Sequence, residues 1–330
     1  MNRFQSHRSQ YIHKINAESF NVIALDLFQY QYKNNSIYRQ FVDALHIDPS
    51  TVKEIVQIPF LPISFFKTHS VVTGKAAEPA VVFKSSGTTG EVQSQHLVFD
   101  KELYEASLLR GFNEFYGEPR DYVFLALLPS YLERKNASLV YMAEILMKES
   151  GHVSNGFYLN EWDALAGVLQ QLGERGQKTV LLGVTFALLD FAAAFPMSLK
   201  GTIVMETGGM KGRKKEWTRE EVHAFLKKQW GLSSVHSEYG MTELLSQAYA
   251  SESGLFSAGA TMKVLVRDIN DPLQVQEEGA GCLNIIDLAN VDSCAFIATE
   301  DLGVIHEDRT FEVLGRMDHS ALRGCSLMVV

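Results

Sequence analysis

The chain has 330 residues, 46% of them hydrophobic, which is enough to bury one large core or two modest ones. A formal net charge of −9 excludes a basic nucleic-acid-binding surface, and no apolar run reaches the roughly 18–20 residues that span a bilayer. The start, Met-Asn-Arg-Phe-Gln-Ser-His-Arg, lacks the apolar core of a signal peptide, so a cytoplasmic globular protein is expected. Cys282, Cys294 and Cys325 are too few and too widely spaced for a zinc site or a disulfide framework.

Residues 1 to about 57 read as helices: Phe20, Ile23, Ala24, Leu27 and Phe28 fall at helical spacing, and Ser36 to Leu45 forms a second amphipathic stretch. Ile58-Pro59-Phe60-Leu61-Pro62-Ile63-Ser64-Phe65-Phe66-Lys67 is apolar, and its two prolines predict an extended segment packed on the core. Its aromatic residues Phe60, Phe65 and Phe66 either fill that core or wall an apolar substrate pocket, for which Tyr131 is a further candidate.

Val81-Val82-Phe83-Lys84 predicts a buried strand, and Ser85-Ser86-Gly87-Thr88-Thr89-Gly90 predicts a tight turn after it. Glycines let backbone N–H groups approach an anion and the hydroxyls add donors, so this turn can grip phosphate or simply form a polar hairpin. No Lys-Ser or Lys-Thr follows Gly90, which separates it from the P-loop of ordinary NTPases.

A returning strand is predicted from His96 to Phe99, then a helix capped by Asp100 through Leu103, Ala106, Leu109 and Phe112. Strands at Tyr122–Leu128, Thr179–Leu182 and Ile203–Glu206 alternate with helices over Ala137–Met147, past Phe186, Leu189 and Phe195, and over Glu216–Trp230. That alternation predicts an α/β fold with a largely parallel sheet, in which ligands sit at the carboxyl ends of strands, and the Ser/Thr/Gly turn is placed at one such end. A second glycine-rich turn, Thr207-Gly208-Gly209-Met210-Lys211-Gly212, follows the last of these strands, and Val235-His236-Ser237-Glu238-Tyr239-Gly240-Met241-Thr242-Glu243-Leu244 is a short apolar entry into a polar cluster.

Past residue 260 short strands are predicted at Met262–Arg267, Cys282–Asp287, Cys294–Ala298, Gly303–His306 and Phe311–Gly315, with Asp301 in a Glu-Asp-Leu-Gly turn. The expected organisation is a helical segment over 1–79, an α/β nucleotide-binding core over 80–258 and a β-rich subdomain over 259–330.

Ser85-Ser86-Gly87-Thr88-Thr89-Gly90, Gly208-Gly209, Tyr239-Gly240-Met241-Thr242-Glu243, Asp301-Leu302-Gly303 and Gly315-Arg316-Met317-Asp318 resemble, in that order, the core motifs of acyl-adenylate-forming enzymes. The Pro-Phe-Leu-Pro-Ile-Ser-Phe-Phe-Lys segment and the Arg323-Gly324-Cys325-Ser326-Leu327 ending look most like LuxE-type acyl-protein synthetases, and next most like phenylacetate-CoA ligases. The resemblance implies the N-terminal domain of that fold, with ATP and Mg²⁺ as cofactors and a carboxylic acid, fatty by analogy, as substrate. By the same analogy Ser85 to Gly90 hold the β- and γ-phosphates, Thr242 the α-phosphate and Glu243 the Mg²⁺, a hard ion suited to carboxylate oxygen. Tyr239 stacks on adenine, Gly208, Gly209 and Gly240 allow close backbone approach, Asp301 accepts from the ribose with Arg316 beside it, and His236 lies near the acyl site.

Two departures from the family pattern matter. A Pro-Lys usually follows the Ser/Thr/Gly turn, where this chain has Gln93-Ser94-Gln95-His96, so Lys84 and Lys211 are either solvated or compensating. The sequence also stops at Val330, soon after Asp318, where longer ligases continue into a mobile lid with a catalytic lysine, so no lid is expected. LuxE-type enzymes pass the acyl group to a cysteine of their own, a role that Cys325 fits by position beside Arg323, and then to a reductase partner. Cys282 and Cys294 read as small core hydrophobes. Ligation to coenzyme A or a carrier protein, or a non-catalytic nucleotide-binding subunit of a reductase complex, are the alternatives.

Overall fold

Helical spacing and capping build the N-terminal layer of this computed structural model, which describes residues 4, 8–74, 78–85, 92–129, 136–208 and 217–317. Helix α1 (Arg8–His13) leads into α2 (Ala17–Asn34), which opens on a reciprocal cap: the Ser19 amide donates to the Asn16 side chain and the Asn16 amide to the Ser19 hydroxyl. Phe20, Ile23, Ala24, Leu27 and Phe28 are all buried, as their spacing predicts. After α3 (Ser36–Ala44) the proline-containing stretch forms the short strand β1 (Leu61–Pro62) and a single turn, α4 (Phe65–Thr68).

Strands β2 (Val81–Lys84) and β3 (Gln95–Val98) then pair antiparallel as a separate two-stranded ribbon. This corrects the placement of the Ser/Thr/Gly turn at the end of a strand in the main sheet. Of the four residues of β2 only Phe83 is fully buried, and a short apolar run alone does not distinguish a ribbon from a central strand.

Alternation of helix and strand continues through α5 (Lys101–Tyr116), β4 (Val123–Leu127), α6 (Ser138–Ser150), β5 (Gly156–Tyr158), α7 (Trp162–Glu174), β6 (Thr179–Val184), α8 (Thr185–Ala194), β7 (Thr202–Thr207), α9 (Arg219–Trp230) and β8 (His236–Tyr239). Asp100 caps α5 through the Leu103 amide. Its buried face is Leu103, Tyr104, Ser107, Leu108, Gly111 and Phe112, so the Ala106–Leu109 stripe expected from sequence lies at the flank of that face. The five strands β5-β4-β6-β7-β8 are parallel neighbours, with short antiparallel β9 (Ala248–Ala250) and β10 (Ser257–Ala258) completing the edge. Strands β4 and β6 are buried along their whole length, as expected for a sheet covered on both faces.

The described residues continue into a second, mostly antiparallel sheet of β11 (Met262–Arg267), β12 (Val275–Gln276), β13 (Gly279–Asp287), β14 (Phe296–Ile305) and β15 (Phe311–Arg316), to which β1 adds in parallel beside β14. The two strands expected at 294–298 and 303–306 are one strand, β14, and Asp301 is in its middle, not in a turn. The acidic Thr-Glu-Asp-Leu stretch stays extended because β13 and β15 pair with its two edges and the Asp301 carboxylate finds buried partners.

The N-terminal helices are fastened to this sheet by packing and by buried amides. Phe296 meets Phe28, Tyr38 and Phe60 at 5.9–6.3 Å between ring centroids. The Gln31 amide donates to the Asn290 carbonyl at 2.7 Å and accepts from the Ala295 amide at 2.9 Å. Leaving such a group unpaired would cost about 1–3 kcal/mol, so Gln31 fixes the register of α2 against residues 290–295. Among the described residues no helix is long and apolar enough to cross a membrane.

Candidate functional site

Parallel strands β7 and β8 end side by side, and their carboxyl ends carry the first elements of the site. Gly208 leaves β7 with φ +71°, a conformation L side chains rarely adopt, and among the described residues nothing lies within 4 Å of where a Cβ would stand. The Thr185 hydroxyl donates to its carbonyl at 2.8 Å. Gly240 is required for a different reason: a Cβ there would come within 2.5 Å of the Glu238 carboxylate.

Glu238 is buried and accepts from the Thr207 hydroxyl, which ties the two strand ends together. Burial, with the nearby Glu206 charge adding to it, pushes the Glu238 carboxyl up to about 7 against the Thr207 bond. For Glu206 burial works in the same upward direction, but His223, Thr185, Arg219 and Ser237 together hold it below the usual carboxylate range.

At the end of β8 the Tyr239 hydroxyl donates to Asp301 Oδ2 at 2.8 Å, and Arg316 Nε donates to Asp301 Oδ1 at 3.3 Å. Asp301 and Arg316 are direct cross-strand partners on β14 and β15. Only 6% of Asp301 is exposed, whereas the Arg316 side chain is 75% exposed, so the guanidinium stands at the mouth and the carboxylate inside it. Burial raises the Asp301 carboxyl, opposed by Tyr239 and Arg316. The Tyr239 ring is set edge-on to Phe256 and Phe311.

The foot of the Ser/Thr/Gly turn joins the same region through Ser94. The Ser85 amide donates to the Ser94 carbonyl at 3.1 Å and the Ser94 amide to the Ser85 hydroxyl at 2.9 Å. The buried Ser94 side chain also acts on the buried Glu243 carboxylate. Burial raises the Glu243 carboxyl, while Ser94 and the charges of Arg316 and Lys67 favour its ionised form. Beside it, His96 Nδ1 donates to the Thr242 carbonyl at 2.9 Å, which fixes its tautomer, and burial pushes the imidazole down to about 4, so it stays neutral.

Buried groups hold residues 242–246 from behind. Asp287 accepts from the Leu245 and Ser246 amides and from the Ser246 hydroxyl at 2.6–3.1 Å, and the Asn290 amide donates to the Glu243 carbonyl at 2.8 Å. Phe66 packs edge-on against His96 at 5.8 Å, which docks α4 and with it Lys67 on this side of the site.

The structure therefore brings Ser85, Thr242 and Glu243 together around Ser94 and His96, and Tyr239, Asp301 and Arg316 into one hydrogen-bonded group, with Gly208 and Gly240 at the adjoining strand ends. His236 stands apart, at the other end of β8, roughly 10 Å from Tyr239 at ~3.3 Å per residue. Its Nδ1 is 3.2 Å from the Tyr116 hydroxyl, and burial lowers its pKa. Ser86, Gly87, Thr88, Thr89, Gly90, Tyr131, Gly209, Lys211 and Cys325 lie outside the described residues. Cys282 and Cys294 are buried free thiols, and burial pushes Cys294 up to about 12.

Ser94, His96, Glu238, Asp287, Asn290 and Lys67 were not singled out for the site by sequence reasoning. For Asp287 and Asn290 a signal existed: a lone acid and amide inside Ile285-Ile286-Asp287-Leu288-Ala289-Asn290-Val291 must be buried and must therefore hold something.

The profile of the acyl-protein synthetase family LuxE matches residues 5–141 and 170–330. The chain belongs to the LuxE acyl-protein synthetase family. It is thus an enzyme of the ligase class. The long-chain-fatty-acid–luciferin-component ligase of Vibrio harveyi is 24% identical over 326 residues, covering 91% of this chain and 84% of that protein. Among solved structures, ATP-bound MatB from Rhodopseudomonas palustris superimposes with a TM-score of 0.55 at 16% identity, over 74% of this chain and 50% of that one. A long-chain-fatty-acid-CoA ligase, FadD1 from Archaeoglobus fulgidus, gives a TM-score of 0.51 at 13% identity, over 78% and 56%. At such identities the likeness establishes the fold, that of adenylate-forming enzymes, and the chain spans about half the length of those structures.

Proposed function

We propose that this synthetase activates a carboxylic acid, a fatty acid by its family, as acyl-AMP and then passes the acyl group to a cysteine thiol. The observation that carries the reading is the docking of strand β3 beside the buried Glu243 carboxylate just past β8: Ser94, just ahead of β3, bonds Ser85 at the foot of a hydroxyl-rich glycine stretch, and His96 within it bonds the Thr242 carbonyl. A carboxylate is a poor electrophile, so a good leaving group must be attached before transfer. In the first step a carboxylate oxygen attacks the α-phosphorus of ATP, the bond from that phosphorus to the β-phosphate oxygen breaks and pyrophosphate leaves. In the second, a thiolate attacks the acyl carbon, the bond to the AMP oxygen breaks and AMP leaves with its electron pair. Neither step needs an oxidant or reductant.

Ser85 and the turn after it donate to the β- and γ-phosphates and Thr242 to the α-phosphate, where charge develops. The Tyr239–Asp301–Arg316 group receives adenine and ribose, with Gly208 leaving room for the base. Glu243 suits Mg²⁺: it is a buried carboxylate with no ion pair within 4.0 Å among the described residues, and Mg²⁺ is commonly held by one or two carboxylates plus substrate phosphates. When bound, that ion neutralises phosphate charge. Lys67, whose charge already acts on Glu243, supplies a cation where the turn itself lacks the usual lysine. Cys325 is the thiol this reading assigns as acceptor, and an acyl-reducing protein is the partner that would consume the thioester. Incubation with labelled fatty acid and MgATP is expected to leave a hydroxylamine-labile label on the protein, and Cys325→Ser to abolish that label while pyrophosphate is still released. A label retained in the variant would refute Cys325 as the acceptor.

A further inference from the structure

A cavity of about 290 Å³ opens between α3, residues 56–64 and the second sheet, and none of the site residues described above lines it. Its N-terminal wall is apolar, formed by Phe41, Leu45, Val56, Ile58, Phe60 and Ile63. Leu273 and Val275 face them from the β11–β12 hairpin, and Leu273 is 51% exposed at the rim. Small-ligand sites run roughly 300–1,000 Å³, so the space suits one narrow chain and not a nucleotide.

The second sheet contributes the polar lining residues Arg267, Thr299 and Glu300. Arg267 is 8% exposed, and among the described residues its guanidinium donates to uncharged acceptors: the Leu283 carbonyl at 3.1 Å, Asn284 Oδ1 at 2.7 Å and the Thr299 carbonyl at 2.5 Å. Among the described residues no carboxylate lies within 4.0 Å of it, and Glu300 acts on it from farther away. A buried cation without a counter-ion is costly, and a guanidinium has five donors suited to the two oxygens of a carboxylate. The apolar wall and a guanidinium with no carboxylate in direct contact among the described residues thus ask for opposite ends of one molecule.

We propose that this cavity binds a straight-chain carboxylic acid, with the alkyl chain between α3 and residues 56–64 and the carboxylate facing Arg267. This is a second carboxylate site, separate from the one at Thr242 and Glu243, and its occupancy does not depend on the adenylation reading.

The test uses the full chain without nucleotide and cis-parinarate, a fluorescent straight-chain carboxylate, as the probe. Saturable binding is expected, displaced by tetradecanoate and only weakly by its methyl ester. Leu45→Trp and Val56→Trp, which fill the cavity from two sides, are each expected to weaken binding roughly tenfold or more through lost apolar burial. Binding of a fluorescent ATP analogue to these variants reports that they are folded. Glu300→Gln removes a like charge near the carboxylate and is expected to tighten binding of the acid roughly two- to fivefold while leaving the ester unchanged. Absence of saturable binding, equal affinity for acid and ester, or unchanged binding in both tryptophan variants would overturn the proposal. Probe binding that persists in a protein with no acid-dependent ATP chemistry would instead remove only the adenylation reading.

Discussion

Replacing Glu238 with glutamine should stabilise the protein above neutral pH, and the size of the effect follows from where that carboxyl sits. Its folded pKa is about 7 against an ordinary 4.5, chiefly because it is buried. Between those two values the unfolded chain has released the proton and the folded chain still holds it, so this group makes stability fall as pH rises from about 4.5 to about 7 and then level off. At 1.36 kcal/mol per tenfold, the full cost is about 3 kcal/mol. Glutamine keeps an acceptor for the Thr207 hydroxyl and removes the titration. Urea unfolding of both proteins from pH 5 to pH 8 isolates the term, because Glu243, Asp287 and Asp301, which burial also raises, contribute to both and cancel. The variant is expected to match the parent near pH 5 and to exceed it by about 2–3 kcal/mol at pH 8. A difference that does not change with pH, or a variant less stable at pH 8, would refute the reasoning.

Ser94→Ala removes a buried hydroxyl that favours the ionised form of Glu243, so acid-dependent pyrophosphate exchange should fall roughly 10-fold. Its acid limb should move to higher pH, because Glu243 loses a donor that favours the ionised form. Asp301→Asn keeps an acceptor for Tyr239 but loses the charge facing Arg316, and the KM for ATP in the same assay should rise by a factor equivalent to about 1–2 kcal/mol with circular dichroism unchanged. Lys67→Gln is expected to slow exchange about tenfold and Lys67→Arg to restore most of it, the pattern of a cation acting through its charge near phosphate. Equal loss in both Lys67 variants would argue for packing instead.

Local patterns were readable where burial follows a regular spacing. The stripe on α2, the cap at Asp100 and the limits of β11 could all be taken from the residues alone, because each depends on neighbours a few positions away. Strand β14 was split in two because Glu300 and Asp301 look like turn residues until β13 and β15 are seen on either side. The site was legible as separate motifs but not as an assembly: Tyr239 and Asp301 are 62 positions apart, and His96 and Thr242 are 146 apart. Ser94 and Glu238 escaped notice because a serine or glutamate among polar neighbours gives no sign that it will be buried. What aligns them is the parallel pairing of β7 with β8 and the docking of the β2–β3 ribbon, both long-range features.

Acid-dependent ATP–pyrophosphate exchange, run with short, medium and long fatty acids on the intact protein and on Glu243→Ala, tests the adenylation reading most directly. The account predicts exchange that requires both the acid and Mg²⁺ and that collapses in the variant while fluorescent ATP-analogue binding persists. No exchange with any acid, in protein shown to bind MgATP, would contradict it.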